Sequence, residues 1–489
     1  MHNVARPAQA VELDLARFRG MVPEEAATGG RVTAAHHLAL SIPEDALREF
    51  VLTQRWFGAK SREIAHFQVV AAPVVRTEEP LLALAILEIR FHPGTHELYQ
   101  VPLGFRREWK NGIAEVEGWI AYDALADPEL ARELVECMRR QADVAGGEAM
   151  VEFRATGEAA GSLASVRPMG REQSNTSLVF DDDLVLKVYR RIEAGVNPEL
   201  ELLRFLTDRG FPSIASLEGW AAYLGTPLEA TLAVAQDYVP GEGDGWELAL
   251  EALRCRQGDD FVERLRLLGE TTGAMHSVLA SEQGDPSFTP EEPSAEALGL
   301  LTASIDEEIE ALFLSLPDLP ELAAIVGRGE EVREQLRGLS HAGDVGKVIR
   351  THGDYHLGQA LWTDSGWVIV DFEGEPARPI VDRRRKRSPL RDVAGMLRSF
   401  AYAASAAEIE HGVEPPDGWE QRARDAFLLG YLSKVDSNLI PSGSALERLL
   451  AVFELEKAFY ELRYELDNRP GWVRIPVLGI ARLLERAAV

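Results

Sequence analysis

Asp354, Gln359 and Asp371 have the side chains and spacing needed to move a phosphoryl group from a metal-bound nucleotide to a hydroxyl. They lie in Arg350-Thr351-His352-Gly353-Asp354-Tyr355-His356-Leu357-Gly358-Gln359 and in Val370-Asp371-Phe372-Glu373-Gly374. In kinase loops an aspartate five residues before an amide puts a proton-accepting carboxylate beside a Mg²⁺ ligand, and that spacing recurs here. Asp371 ends an apolar run and offers a second ligand, with Glu373 as a further metal or supporting group. Separated aspartates often only cap turns. The combination of His-Gly-Asp, the spacing and Asp-Phe-Glu-Gly favours chemistry.

These groups meet only if the chain folds back. Ala360-Leu361-Trp362 and Trp367-Val368-Ile369-Val370 flank Asp364-Ser365-Gly366, a hairpin pattern that returns Asp371 to Gln359. Upstream, Ser177–Phe180, the turn Asp181-Asp182-Asp183 and Leu184–Tyr189 read as a second hairpin. Lys187 interrupts its apolar strand, and a cation there needs a partner. Nucleotide phosphate would serve, with a carboxylate of the next helix holding the amine. Asn197-Pro198 opens that helix. Glu199 and Glu201 are the candidates, and Glu201 is the one expected.

The loop Gln173-Ser174-Asn175-Thr176-Ser177 is not glycine-rich. Its hydroxyls, amides and backbone N–H groups suit phosphates, although an ordinary polar turn would read the same by itself. Gln236 and Tyr238, in the strand Thr231–Val239 before the hinge Pro240–Gly245, join Ser174, Asn175, Thr176, Ser177 and Lys187 as nucleotide candidates. Asp392 is expected to brace a loop, His352 to support one, and most of Arg383–Arg387 to be solvated. On the last long helix, Ser444 and Glu447 have capping-box spacing. Tyr460, Tyr464 and Asn468 share one face, followed by Arg469 and Trp472. Aromatic faces beside carboxylates and amides suit a sugar. Tyr460 reads equally well as core. Tyr464, Glu465, Asn468 and Trp472, with His356 and Arg378, form the expected substrate set.

The chain has 489 residues, too many for one ordinary core. Its 51 basic and 79 acidic residues give a net charge of −28, which disfavours nucleic acid and anionic membrane as partners. Two cysteines without metal spacing, no signal pattern and no spanning apolar run imply a cytoplasmic protein. The expected organisation is a loosely ordered extension over 1–35, a mixed cap over 36–145, a nucleotide-binding subdomain over 146–240 and a mainly helical lobe over 241–489. That makes an α+β, bilobal kinase-like architecture.

From about Pro43 onward the sequence resembles the bacterial maltokinases, within the aminoglycoside-phosphotransferase-like kinases. The stretches that carry the resemblance are Arg55-Trp56-Phe57-Gly58-Ala59-Lys60, Glu172–Ser177, His352–Gln359, Asp371–Pro376, Ser388–Ser399 and Asn468-Arg469-Pro470. The resemblance implies a bilobal fold with an extra N-terminal cap, and ATP- and Mg²⁺-dependent phosphorylation of maltose at its anomeric hydroxyl. It also implies a place in the trehalose-to-glycogen route, with trehalose synthase as a partner. By it, Asp354 matches the catalytic aspartate, and Gln359 and Asp371 the metal ligands. Glucosamine kinases share the same motifs and are the alternative. A catalytically silent kinase-like subunit of trehalose synthase is a third reading.

Overall fold

The computed structural model describes residues 34–146, 149–157, 161–170, 174–337 and 345–487. The expected extension lies outside them except for its last two residues, which open α1 (Ala34–Leu40) and bury Ala35. α2 (Glu44–Thr53) follows, then β1 (Ile64–Ala71), β2 (Val74–Arg76), β3 (Leu81–Phe91), β4 (Thr95–Arg106), β5 (Ala114–Val116) and β6 (Trp119–Asp123). The sheet order is β1-β3-β4-β6-β5, with β2 on β3. Asp127 caps α3 (Pro128–Arg139), accepting from the Glu129 amide at 3.0 Å.

Side chains alternate across a strand, so β3 feeds two cores. Ala83, Ala85, Leu87 and Ile89 pack inside the cap with Trp56 and Phe57. Leu82, Leu84 and Ile86 pack on the opposite side against α3 and a second sheet. That sheet contains β7 (Asp143–Gly146), β8 (Ala149–Ala155), β9 (Val166–Pro168), β10 (Asn175–Phe180) and β11 (Leu184–Tyr189). After β12 (Arg191–Ile192) and α4 (Pro198–Asp208) it gains β13 (Leu217–Leu224) and β14 (Ala230–Asp237). Its order is β7-β8-β13-β14-β11-β10-β9, and β12 crosses back to β4. Cap and second lobe therefore share buried apolar surface.

The helical lobe begins at β15 (Gly243–Asp244). The expected hinge is structured there, since β15 pairs with β16 (Ala360–Thr363) and Asp244 caps α5 (Gly245–Arg254). α6 (Gly258–Leu279), α7 (Ala295–Ser315) and α8 (Gly329–Arg337) precede the hairpin of β16 and β17 (Gly366–Ile369). α9 (Ile380–Arg383), α10 (Leu390–His411), α11 (Trp419–Lys434), α12 (Ser444–Asn468) and α13 (Arg474–Ala487) complete it. The capping box at Ser444 does not form. Gly443, at φ +56°, turns the chain one residue earlier, and the Ser444 hydroxyl accepts from Arg448 Nη1 at 3.2 Å. Among the described residues no helix is long and apolar enough to cross a membrane.

Candidate active site

The β16–β17 hairpin pairs Ala360 with Ile369 and Thr363 with Gly366, which returns the chain to Gln359 as expected. Gln359 Nε2 donates to Asp371 Oδ2 at 3.1 Å, leaving the amide oxygen for other partners. Asp371 has φ +64°, a left-handed conformation that few non-glycine residues adopt. His352 ties the two loops together. Its Nε2 lies 3.0 Å from the Val370 carbonyl, which can only accept, so that nitrogen carries the proton. Asp392, at the start of α10, accepts from the amides of His352 at 2.8 Å and Gly353 at 3.0 Å, the bracing role expected of it. Gly353 has φ +86°, and a Cβ there would stand 3.3 Å from the Gly374 Cα. The catalytic and metal-side loops pass too closely for a larger residue.

On the other wall, β10 and β11 pair Ser177 with Lys187 and Asn175 with Tyr189. Facing residues project to one side of a sheet, so these four share a face. Lys187 Nζ lies 2.9 Å from Glu199, 2.8 Å from Asp371 and 2.7 Å from Glu373. Burial alone would lower its pKa, but Asp371, Glu199 and Glu373 together hold it well above the usual range. Asn175 Nδ2 donates to Glu373 at 2.6 Å. Gln236, opposite Val185, falls on the same sheet face, and Ser174 borders the adjoining cleft. Tyr238 follows β14 directly, with its amide 2.8 Å from the Asp183 carbonyl. Thr176 differs from the expectation because strand parity turns it away, and its hydroxyl accepts from Arg190 at 2.9 Å.

The carboxylate that holds Lys187 is Glu199, not Glu201. Residues two apart on a helix point about 200° away from each other. Glu199 faces Lys187 and the Tyr189 hydroxyl, at 2.7 Å from the latter. Burial pushes the Glu199 carboxyl up to about 7; Lys187 opposes the rise, and Glu373 and Asp371 add to it. Glu201 faces the helical lobe, accepting from Arg350 at 2.6 Å and from two nitrogens of Arg384 at 3.0 Å each. Arg350 is buried, and its Nε and Nη2 already have no hydrogen-bond partner. Removing its carboxylate leaves a buried cation, so Glu201→Gln is expected to destabilise the fold by about 3–5 kcal/mol. Denaturant titration of the variant measures this. An unchanged midpoint would show that water replaces the carboxylate.

The basic island is mostly engaged, contrary to expectation. Arg383 pairs with Glu193 at 2.6 Å, Arg384 with Glu201, and Lys386 reaches the Thr289 carbonyl at 2.7 Å. Arg385 alone of the five is exposed. The strap from Glu375 to Arg387 thus joins the lobes, a role that charge composition does not reveal.

Asp354 opens onto a cavity of about 90 Å³. Lys457 Nζ, from α12, lies 3.3 Å from its carboxylate. Burial would raise the Asp354 pKa, but Lys457, His356 and His352 hold it below the ordinary carboxylate range. Arg378, one of the expected substrate residues, borders the cavity, paired with Glu375 at 2.5 Å. A second compartment of about 190 Å³ adjoins the first, and Glu308, Glu375, Arg378, Glu456 and Tyr460 line both. Its far wall is apolar, from Ile305, Ile309 and Leu312 of α7 and from Phe459. His356 does not line either compartment; its ring accepts from the Gly358 amide at 3.1 Å.

The end of α12 departs from the expected substrate set. Tyr460 is the aromatic residue that lines both compartments. Tyr464 shares its helix face one turn farther from Asp354 and is 46 % exposed. Glu465 is buried on another face, paired with Arg469 at 2.7 Å. The Asn468 amide donates to the Tyr464 carbonyl at 2.9 Å, and Trp472 stacks on Tyr402. Each residue advances 1.5 Å along a helix, so Asn468 stands well beyond the cavity that Lys457 reaches. Lys457 itself was missed. The available signal was its place one turn before Tyr460.

Glu199, Asp371 and Glu373 present oxygens within 4.8 Å of one another. With Gln359 they form a hard oxygen set that fits Mg²⁺. Three carboxylates around one ammonium also leave a negative excess for a cation to neutralise.

A model described as the phosphotransferase enzyme family matches residues 165–424, and one described as the maltokinase N-terminal cap domain matches residues 50–127. The chain is 26% identical over 329 residues to a glucosamine kinase of Streptacidiphilus jiangxiensis, across 64% of this chain and 72% of that protein. It is 26% identical over 325 residues to a glucosamine kinase of Mycolicibacterium smegmatis, across 65% and 79%. A glucosamine kinase solved with glucosamine, ADP and inorganic phosphate superposes with a TM-score of 0.67 at 22% identity, covering 86% of this chain and 96% of that one. The likeness to that structure is one of fold: two kinase lobes, an N-terminal cap and a helical C-terminal region.

Proposed function

The chain belongs to the phosphotransferase enzyme family, and on that premise we propose that it transfers the γ-phosphoryl group of ATP to the anomeric hydroxyl of maltose. The anomeric oxygen attacks phosphorus, the bond to the β,γ-bridging oxygen breaks, and ADP leaves with maltose 1-phosphate as the other product. Asp354 takes the hydroxyl proton, and Lys457 keeps that carboxylate ionised and oriented. Lys187, held by Glu199, meets the nucleotide phosphates, with Ser174, Asn175 and Ser177 on the same wall. Gln359, Asp371 and Glu373 would hold Mg²⁺, which when bound neutralises phosphate charge.

The observation that carries the choice of a disaccharide is the two-part cavity. One ring presented to Asp354 leaves the larger compartment unfilled, and its apolar wall suits the C–H face of a second ring. The maltokinase-type cap supports the same sugar. Glucosamine is the second reading, favoured by the names of the relatives. A silent subunit docked to trehalose synthase finds less support, because Lys187, Asp354, Gln359 and Asp371 form a complete set.

A coupled ADP-release assay over maltose, glucosamine, glucose and aminoglycosides tests the proposal, with NMR of the product to locate the phosphate. Turnover is expected with maltose at the anomeric position. Turnover with glucosamine alone would favour the second reading, and none above background would remove the enzyme.

A further inference from the structure

We infer that Arg387 sets the charge selectivity of the acceptor cavity, admitting neutral sugars and repelling those that carry an ammonium group. The inference rests on reading the cavity beside Asp354 as the acceptor site. Five cationic side chains border that cavity. Four are neutralised where they stand: Arg378 by Glu375, Arg383 by Glu193 at 2.6 Å, Arg391 by Glu456 at 2.8 Å and Lys457 by Asp354 at 3.3 Å. Arg387 is the exception. Among the described residues its side chain makes one hydrogen bond and no ion pair, the bond running from Nη2 to the Asp382 carbonyl at 3.4 Å. A carbonyl oxygen leaves the guanidinium charge in place.

The position of Arg387 is fixed by the backbone. Its amide and carbonyl pair with those of Ile349 at 2.8 and 2.9 Å, just upstream of the catalytic loop. Burial, with Arg391 and Arg378 adding to it and Glu456 and Asp382 opposing, pushes the guanidinium down to about 10. The cavity carboxylates act on Arg387 from a distance, and each has other partners or lies apart from it. Asp354, Glu375 and Glu456 are engaged by the cations just named, and Asp392 accepts the two loop amides. Asp382 pairs with Arg385 at 3.2 Å, and Glu308, which lines both compartments, is exposed and acts on Arg378. A neutral sugar can accept the free N–H fork through its hydroxyls. An ammonium in the same place meets a like charge that, among the described residues, no carboxylate touches.

The test compares kcat/KM for maltose, glucosamine and N-acetylglucosamine in the wild type and in Arg387→Lys, Arg387→Gln and Arg387→Glu. Charge removal in Arg387→Gln is expected to raise the glucosamine-to-maltose ratio roughly tenfold, and charge reversal to raise it further, toward a hundredfold. Arg387→Lys keeps the wild-type ratio while KM for maltose rises, because the fork is lost and the charge is not. N-acetylglucosamine, which is neutral, shows no preference for the acidic variant. The same ratio in all four proteins would overturn the inference, as would a parallel gain for N-acetylglucosamine, which would point to space and not charge. Thermal unfolding of each variant separates misfolding from selectivity. A wild type that prefers glucosamine would overturn only the maltose reading, since the change in ratio among variants is measured whichever sugar leads.

Discussion

Replacing Asp354 with asparagine will lower kcat by roughly 10²- to 10⁴-fold while leaving the fold intact, the range expected for loss of a positioned base. The amide is nearly isosteric, and 25 % of the Asp354 side chain is exposed to the cavity, so no packed surface is lost. What disappears is the negative oxygen that balances Lys457 and, on the proposed mechanism, takes the acceptor proton. Among the described residues the Asp354 carboxylate has no other hydrogen-bond partner, and the loop around it is held by Asp392 and His352. Pre-steady-state turnover with saturating sugar measures the effect. A variant with wild-type kcat would remove Asp354 from the mechanism. The pH profile carries a second signature. A carboxylate held below its ordinary pKa stays ionised as pH falls, so the acid limb attributable to Asp354 lies below the usual carboxylate range. Lys457→Met removes the strongest of the influences that hold it down, and the limb should move to higher pH.

Asp371→Ala is expected to abolish the Mg²⁺ dependence of nucleotide binding and to reduce turnover by about 10³-fold or more, the scale of several kcal/mol of charge stabilisation. The backbone at Asp371 is left-handed. That conformation sends the carboxylate to both Gln359 and Lys187, which no relaxed strand continuation would do. Burial would raise its pKa, but Lys187 overrides this, so the group is ionised and available to a cation at neutral pH. Lys187 retains Glu199 and Glu373 in the variant, so the lobes stay joined. Calorimetry of ADP with and without Mg²⁺ reads the outcome directly. Equal Mg²⁺ enhancement in variant and wild type would move the metal to other ligands.

Much of the catalytic centre follows from local sequence. The hairpin between Gln359 and Asp371 is a short-range structure whose turn residues and apolar flanks specify its register, so those two side chains had to meet. Asp392 opens a helix at a position where its carboxylate can only face the preceding loop. The Asn197-Pro198 helix start was equally local, and Asn197 accepts from the Glu199 amide at 2.8 Å. The errors lie where rotation or distance along an element decides. Glu199 and Glu201 differ by about 200° on one helix, and only the position of β11 selects between them. Thr176 differs from Asn175 and Ser177 by one step of strand parity, which depends on which face of the sheet the cap covers. Tyr460 and Asn468 lie on one helix face, and only the crossing of α12 over the catalytic loop puts the first in the cavity and the second outside.

The sequence by itself determined the candidate groups for the proposed transfer: Asp354, Gln359, Asp371 and Lys187, their order, and the hairpins that carry them. Those follow from interactions within a few residues, which the chain satisfies before it knows its partners. Only the tertiary structure decided which carboxylate holds Lys187, that Lys457 stands beside Asp354, and that Arg387 borders the cavity with no carboxylate in contact among the described residues. Those depend on pairings between segments more than a hundred residues apart, such as Lys457 with Asp354 and Arg350 with Glu201. A charge on a single helix can reach several neighbours at similar cost, and the packing of the two lobes selects among them.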